Sequence, residues 1–136
     1  MNAQQHHINK QTRELQTAGY RIAKNPGIRC NSGSESWEHF LTKCIAGKVL
    51  SNQGYRVDSE VPVESPTGTG YIDLLAFGHQ TRRPIVVEVE TDPDGGIWER
   101  KWNIYGSDHI RDLYILEANS LDVKVIRDTI NKELGL

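Results

Sequence analysis

The sequence predicts an α/β protein. From Ser32 onward its segments read α, β, β, β, α, β, α. Short Val-, Ile-, Leu- and Tyr-rich runs bounded by Gly, Pro, Asn and Asp alternate with longer runs of helical period. A total of 136 residues is enough to bury one sizeable core and too few for two full-sized domains.

Residues 9–19 read as a short polar helix stopped at Gly19. Residues 20–24 and 28–30 read as extended pieces on either side of an Asn25-Pro26-Gly27 turn. Helix and hairpin-like pair together resemble the tail of a winged helix and set residues 1–31 apart from an α/β unit over 32–136. This N-terminal segment carries Lys10, Arg13, Arg21, Lys24 and Arg29 against the single acid Glu14. Arg13, Arg21, Lys24 and Arg29 are accordingly expected to meet DNA phosphates. The Gly-Tyr-Arg at 19–21 recurs at 54–56, again after a helix, as a recurrent helix-to-strand junction.

The second helix is expected from a cap at Ser32, with Glu35 at capping-box spacing, or at Ser34, up to Gly54. At about 100° per residue, Trp37, Phe40, Leu41, Cys44 and Ile45 share one face with Val49 at its edge. Glu38 falls inside that arc. Cys44 on an apolar face, without a Cys-x-x-Cys partner, reads as a buried free thiol.

Next come a strand over 55–63 broken by Pro62, a turn-rich stretch over 64–70, and a strand over 71–78. In the last of these, period two puts Tyr71, Asp73, Leu75 and Phe77 on one face and Ile72, Leu74 and Ala76 on the other. The strand that opens at Ile85 likewise has Ile85, Val87, Val89 and Thr91 on one face and Val86, Glu88 and Glu90 on the other. A helix over 97–107 gathers Trp98, Lys101, Trp102 and Tyr105 in one arc, and a strand over 112–118 and a helix over 122–134 complete the chain.

Composition excludes some classes of function. With 37% hydrophobic and 25% charged residues and a formal charge of -2, the whole molecule has no general attraction for nucleic acid or an anionic membrane, so any such contact is local. The N-terminus lacks the apolar stretch of a signal peptide and no run is long enough to span a bilayer. The expectation is a cytoplasmic protein without a membrane partner.

The acids need an explanation. Asp73 and Glu88 project from two neighbouring apolar strands, Glu90 projects beside Glu88, and Glu38 sits on the inward side of a helix. Converging carboxylates repel one another unless a cation neutralises them, and hard divalent ions such as Mg²⁺ take one or two carboxylates together with water and phosphate oxygens.

The helix with Glu38, then GYIDLLAF, then PIVVEVET, resembles the restriction-endonuclease-like nucleases of the PD-(D/E)XK group over about residues 32–118. The resemblance implies an α/β/α sandwich around a mixed central sheet and Mg²⁺- or Mn²⁺-assisted hydrolysis of DNA phosphodiesters. It also implies a homodimer, since related nucleases commonly pair. Asp73 would be the metal-binding aspartate, Glu88 the acid of the strand motif, the Val89 carbonyl a third metal ligand and Glu38 the acid from the first helix. Glu90 stands where the family has a lysine, and Glu38 or Glu90 would orient the attacking water. A glutamate cannot stabilise charge developing on phosphate, so Lys101, on the following helix, is the candidate for a migrated lysine. The patterns NPGIRCNSGSESWEHF, VVEVET, KWNIY and LYILEA also resemble small proteins of haloarchaea and their viruses, which implies an archaeal or virus-encoded chain.

Two other readings stay open. The same scaffold would hold DNA without cutting it if the acids paired with Arg82, Arg83 or Arg100. The aromatic helix WERKWNIY would serve as a docking face for another protein if Trp98 and Trp102 were presented outward.

Overall fold

A computed structural model describes residues 2–30, 35–80 and 82–136. In chain order the elements are α1 (Ala3–Thr17), α2 (Trp37–Asn52), β1 (Arg56–Ser65), β2 (Gly68–Phe77), β3 (Ile85–Glu90), α3 (Ile97–Tyr105), β4 (Asp112–Glu117) and α4 (Val123–Leu134). The strands form one mixed sheet in the order β1-β2-β3-β4. β1, β2 and β3 run as an antiparallel meander, and β4 lies parallel to β3 after the α3 crossover.

Helices cover both faces. One core cluster joins Ala46 and Leu50 of α2 and Ile126 and Ile130 of α4 to Ile85, Val87 and Val89 of β3. The other joins Leu15 of α1 and Tyr105 of α3 to Val86, Leu75 and Phe77. The expected α/β class with a mixed sheet is therefore present. Among the described residues no helix is long and apolar enough to cross a membrane.

Several expected boundaries shift. α1 begins at Ala3, where the Asn2 side chain accepts from the Gln5 N–H, so the first helix is longer than its apolar pattern suggests. The expected caps Ser32 and Ser34 lie outside the described residues. α2 is capped by Ser36, whose hydroxyl accepts from the His39 N–H. Pro62 does not break β1: this is an edge strand, and an edge position tolerates a missing N–H. Residues 20–30 do not pair with each other as a hairpin. They form single bridges to β1, Tyr20 with Val63 and Gly27 with Asp58, because the outer edge of β1 offers unpaired backbone groups. Leu15 and Tyr20 are buried in the same cluster as the sheet, so the N-terminal segment shares its core.

The predicted inward face of α2 is also corrected. Trp37 is 76% exposed, whereas Thr42, Lys43, Ala46, Gly47 and Leu50 are buried. Lys43 can occupy the interior because Glu35 and Glu60 meet its ammonium at 2.7 and 2.9 Å, which rotates the buried face away from the apolar arc.

Period two holds in β3 and fails in β1 and β2. Val57 and Val61 have the same parity yet pack in opposite clusters, and so do Leu74 and Ile72. Ile72 thus sides with Leu75 and Phe77, contrary to the alternation expected from sequence. The break falls between the Ser59–Leu74 and Val61–Ile72 pairs, between which Glu60 and Asp73 intervene. Glu60 has φ of 52°, a left-handed conformation rare outside glycine, and this single residue turns the ribbon so that its two ends face different layers.

Gly19 makes the junction from α1 to the sheet edge. It has φ of 100°, and a Cβ there would lie 2.7 Å from the Glu64 carbonyl oxygen. Gly19→Ala should lower the unfolding free energy by about 1–3 kcal/mol, read as a shifted urea midpoint with unchanged slope; an unchanged midpoint would mean that this junction is not constrained.

Candidate functional site

The β2–β3 ladder ends at the Leu74–Val87 pair. Beyond it the strands part, and the N–H groups of Asp73 and Val89 need other partners. Each finds a carboxylate from the opposite strand: Asp73 N–H donates to Glu88 Oε2 at 2.7 Å, and Val89 N–H donates to Asp73 Oδ2 at 2.8 Å. Two acids are thereby fixed at the point of splay, with Glu88 only 1% exposed.

From the α3 side, Lys101 reaches down to this pair. Its Nζ lies 3.2 Å from Glu88 Oε1 and 3.2 Å from Glu90 Oε1, and 5.6 Å from the centre of the Tyr105 ring. Glu88 and Glu90 share a face, as period two predicts, and a single ammonium serves both. The sequence-predicted Asp73, Glu88, Glu90 and Lys101 therefore come together, and Val89 joins them through its N–H.

Glu38 does not. Among the described residues no hydrogen bond or ion pair joins it to any member of this group. The acid from this segment that does reach inward is Glu35, through His39: Nδ1 of His39 lies 2.5 Å from Glu35 Oε2, and Nε2 lies 3.5 Å from Asp73 Oδ2. Glu38, next to His39 in a helix, points about 100° away from it. Behind His39, Lys43 is wholly buried between Glu35 and Glu60. Glu60, Lys43, Glu35, His39 and Asp73 thus form a string of alternating charge that continues, through the two backbone hydrogen bonds, to Glu88, Lys101 and Glu90. Sequence reasoning missed Glu35, His39, Lys43 and Glu60 as site neighbours. Glu35, His39 and Lys43 are spaced by four, a signal that could have placed them on one helical stripe.

Two of the three arginines expected as alternative partners are engaged elsewhere. Arg100 pairs with Asp94 at 2.9 Å, and Arg83 donates to the Asp108 carbonyl. Of the predicted DNA contacts, Arg13 and Lys24 are exposed. Arg21 pairs with Glu64 at 3.0 Å, and Arg29 donates to the Ser59 and Asn25 carbonyls. Trp98 and Trp102 stack on each other, with rings 5.4 Å apart, and Trp98 Nε1 donates to the Leu113 carbonyl. Cys30 and Cys44 are free thiols, and Cys44 is only partly buried.

Electrostatics follow from this packing. Burial, reinforced by the charge of Asp73, pushes the Glu88 carboxyl up to about 8, against the opposing pull of Lys101 and the Asp73 N–H. His39 is raised to about 9, chiefly by its hydrogen bond to Asp73 and then by the Asp73 charge and Glu35, which outweigh its burial. Burial works against the charge of Lys101, but Glu88 and Glu90 more than offset it and hold the ammonium protonated. For Glu88, burial and Asp73 prevail over Lys101, and Glu90 keeps Lys101 charged in either state of Glu88.

Asp73 and Glu88 offer the hard oxygen donors that suit Mg²⁺ or Mn²⁺, and a carboxyl raised by a neighbouring carboxylate is one that a divalent cation would relieve. Among the described residues no group of three or more His, Cys, Asp or Glu side chains is arranged to hold a metal ion. An ion bound here would take its other ligands from the Val89 carbonyl, water or a phosphate. Comparison with family models, with curated proteins and with solved structures finds no match for this chain.

Both raised groups bind protons more tightly when folded. Stability from Glu88 is complete below its unfolded value of 4.5 and is lost as pH rises through about 8. Stability from His39 is complete below 6.5 and is lost as pH rises through about 9. Without metal, the urea midpoint should fall between these limits. Glu88→Gln should flatten the earlier part of the decline and His39→Gln the later part; unchanged profiles in both variants would contradict these assignments.

Proposed function

We propose that this protein is a metal-dependent nuclease of restriction-endonuclease-like fold that hydrolyses DNA phosphodiester bonds. The observation that carries the proposal is the Asp73–Glu88 pair held at the strand splay, with one lysine reaching both Glu88 and Glu90. Bound Mg²⁺ or Mn²⁺ would polarise the phosphate and acidify a bound water. Asp73 and Glu88 would hold the ion. The chain's own groups have separable tasks. Val89 N–H and His39 orient Asp73, and Asp73 N–H orients Glu88. Lys101 supplies the positive charge that Glu90 cannot, placing it near a phosphate oxygen as negative charge develops there. Glu90 holds Lys101 charged and aimed at the site, so the lysine's role passes from the strand to the helix while the strand position becomes its support.

Exposed Arg13 and Lys24 suit contact with the phosphate backbone, which favours recognition of DNA shape over base sequence. A second reading, a catalytically inactive nuclease-fold module that binds DNA, is favoured by one observation: His39 and Lys101 already contact Asp73 and Glu88 without metal.

The two readings separate in a cleavage assay with Mn²⁺ on supercoiled, single-stranded and branched DNA. Hydrolysis predicts that Glu88→Ala loses cleavage while DNA affinity changes little, and that Lys101→Met lowers the rate by about 10²–10³. Cleavage that survives Glu88→Ala would refute the proposed site. Salt-sensitive binding without cleavage of any substrate by the unmodified protein would establish the inactive module.

A further inference from the structure

A cleft of about 780 Å³ opens between α1, residues 24–28, α2 and the start of β1. Its size is that of a small-molecule site, and none of Asp73, Glu88, Glu90 or Lys101 lines it. One side is apolar, formed by Ile8, Ile28 and Val57. Lys24, Lys48 and Arg56 also face the cleft, and among the described residues no Asp or Glu lines it. In a chain whose net charge is -2, this is a local reversal of sign. Lys24 and Lys48 are exposed and belong to different segments, residues 24–28 and α2.

Arg56 adds a third cationic side chain, whose charge Asp58 offsets in part. Its guanidinium donates to the Ala23 carbonyl and lies 3.3 Å from Asp58 Oδ2, yet its buried Nε has no hydrogen-bond partner. The cleft also has free volume where the chain could have closed it: a Cβ on Gly27 would meet no atom within 4 Å. The α1 wall is tied down, because Gln4 Nε2 donates to the carbonyls of both Gly54 and Gly78.

We propose that this cleft binds a mononucleotide, with its phosphate among Lys24, Lys48 and Arg56 and its base against Ile8, Ile28 and Val57. Cations gathered beside an apolar wall match a ligand that is anionic at one end and flat and apolar at the other. Neither half of that match needs the carboxylate site; Lys24 is shared with the proposed DNA contact, whereas Lys48 and Arg56 are not.

Calorimetric titration of the full chain in EDTA, with AMP, ATP, adenosine and tripolyphosphate, tests it. AMP or ATP should bind, with affinity falling as salt rises. Adenosine and tripolyphosphate should each bind at least about tenfold more weakly than the better nucleotide. Lys24→Glu combined with Lys48→Glu should weaken nucleotide binding by about tenfold or more, and so should Ser51→Trp, which fills the cleft from an exposed helical position. Glu88→Ala should leave it unchanged. These surface changes should not move the unfolding midpoint. Absence of nucleotide binding, binding indifferent to both sets of cleft variants, or binding matched by tripolyphosphate would overturn the proposal. So would binding of a short end-phosphorylated oligonucleotide with none of the nucleotides, which would make the cleft a strand groove.

Discussion

Where β2 and β3 part, two backbone N–H groups lose their ladder partners, and each is met by a carboxylate from the other strand. This reciprocal exchange between Asp73, Glu88 and Val89 is the constraint on which the rest of the site depends. It replaces the missing ladder bonds, and it brings two acids together in the interior, where their mutual repulsion calls for positive charge. Lys101 answers from the layer of α3 and His39 from the layer of α2. The site is therefore a junction of three layers.

The geometry of β1 explains how the α2 layer reaches it. Left-handed Glu60 reverses the facing of the ribbon, and its carboxylate helps to hold buried Lys43. Lys43 in turn fixes Glu35, which fixes His39 against Asp73. An uncompensated lysine in such a position would be strongly unfavourable, so the backbone strain at Glu60 and the burial of Lys43 are parts of a single arrangement. Each charge in the string has a neighbour of opposite sign, which lets ionisable groups persist where apolar residues would otherwise be expected.

Much of this is legible in the sequence, because it rests on local periodicity. Period two places Glu88 and Glu90 on one face, and the helical arc of Trp98, Lys101, Trp102 and Tyr105 puts a lysine opposite them. The order of helices and strands follows from Gly and Pro boundaries and apolar patterning. The remainder depends on events that periodicity does not encode. A single positive φ at Glu60 moves Ile72 to the other layer. A lysine satisfied by two acids turns α2 so that Trp37 faces solvent, and Glu35 with His39 takes the place expected of Glu38. The extended segment 20–30 pairs with the edge of β1 because that edge is free, a fact of topology that no local pattern in the segment reveals.

The central claim is that Asp73 and Glu88 form a divalent-cation site. The most direct measurement is the melting temperature of the unmodified protein and of Glu88→Gln, each with and without Mn²⁺. An ion bound by the folded state alone raises the melting temperature by mass action. The account predicts a Mn²⁺-dependent rise in the unmodified protein that is lost in Glu88→Gln. Equal shifts in both proteins, or a shift in neither, would contradict it and leave the acids as partners of Lys101 and His39 alone.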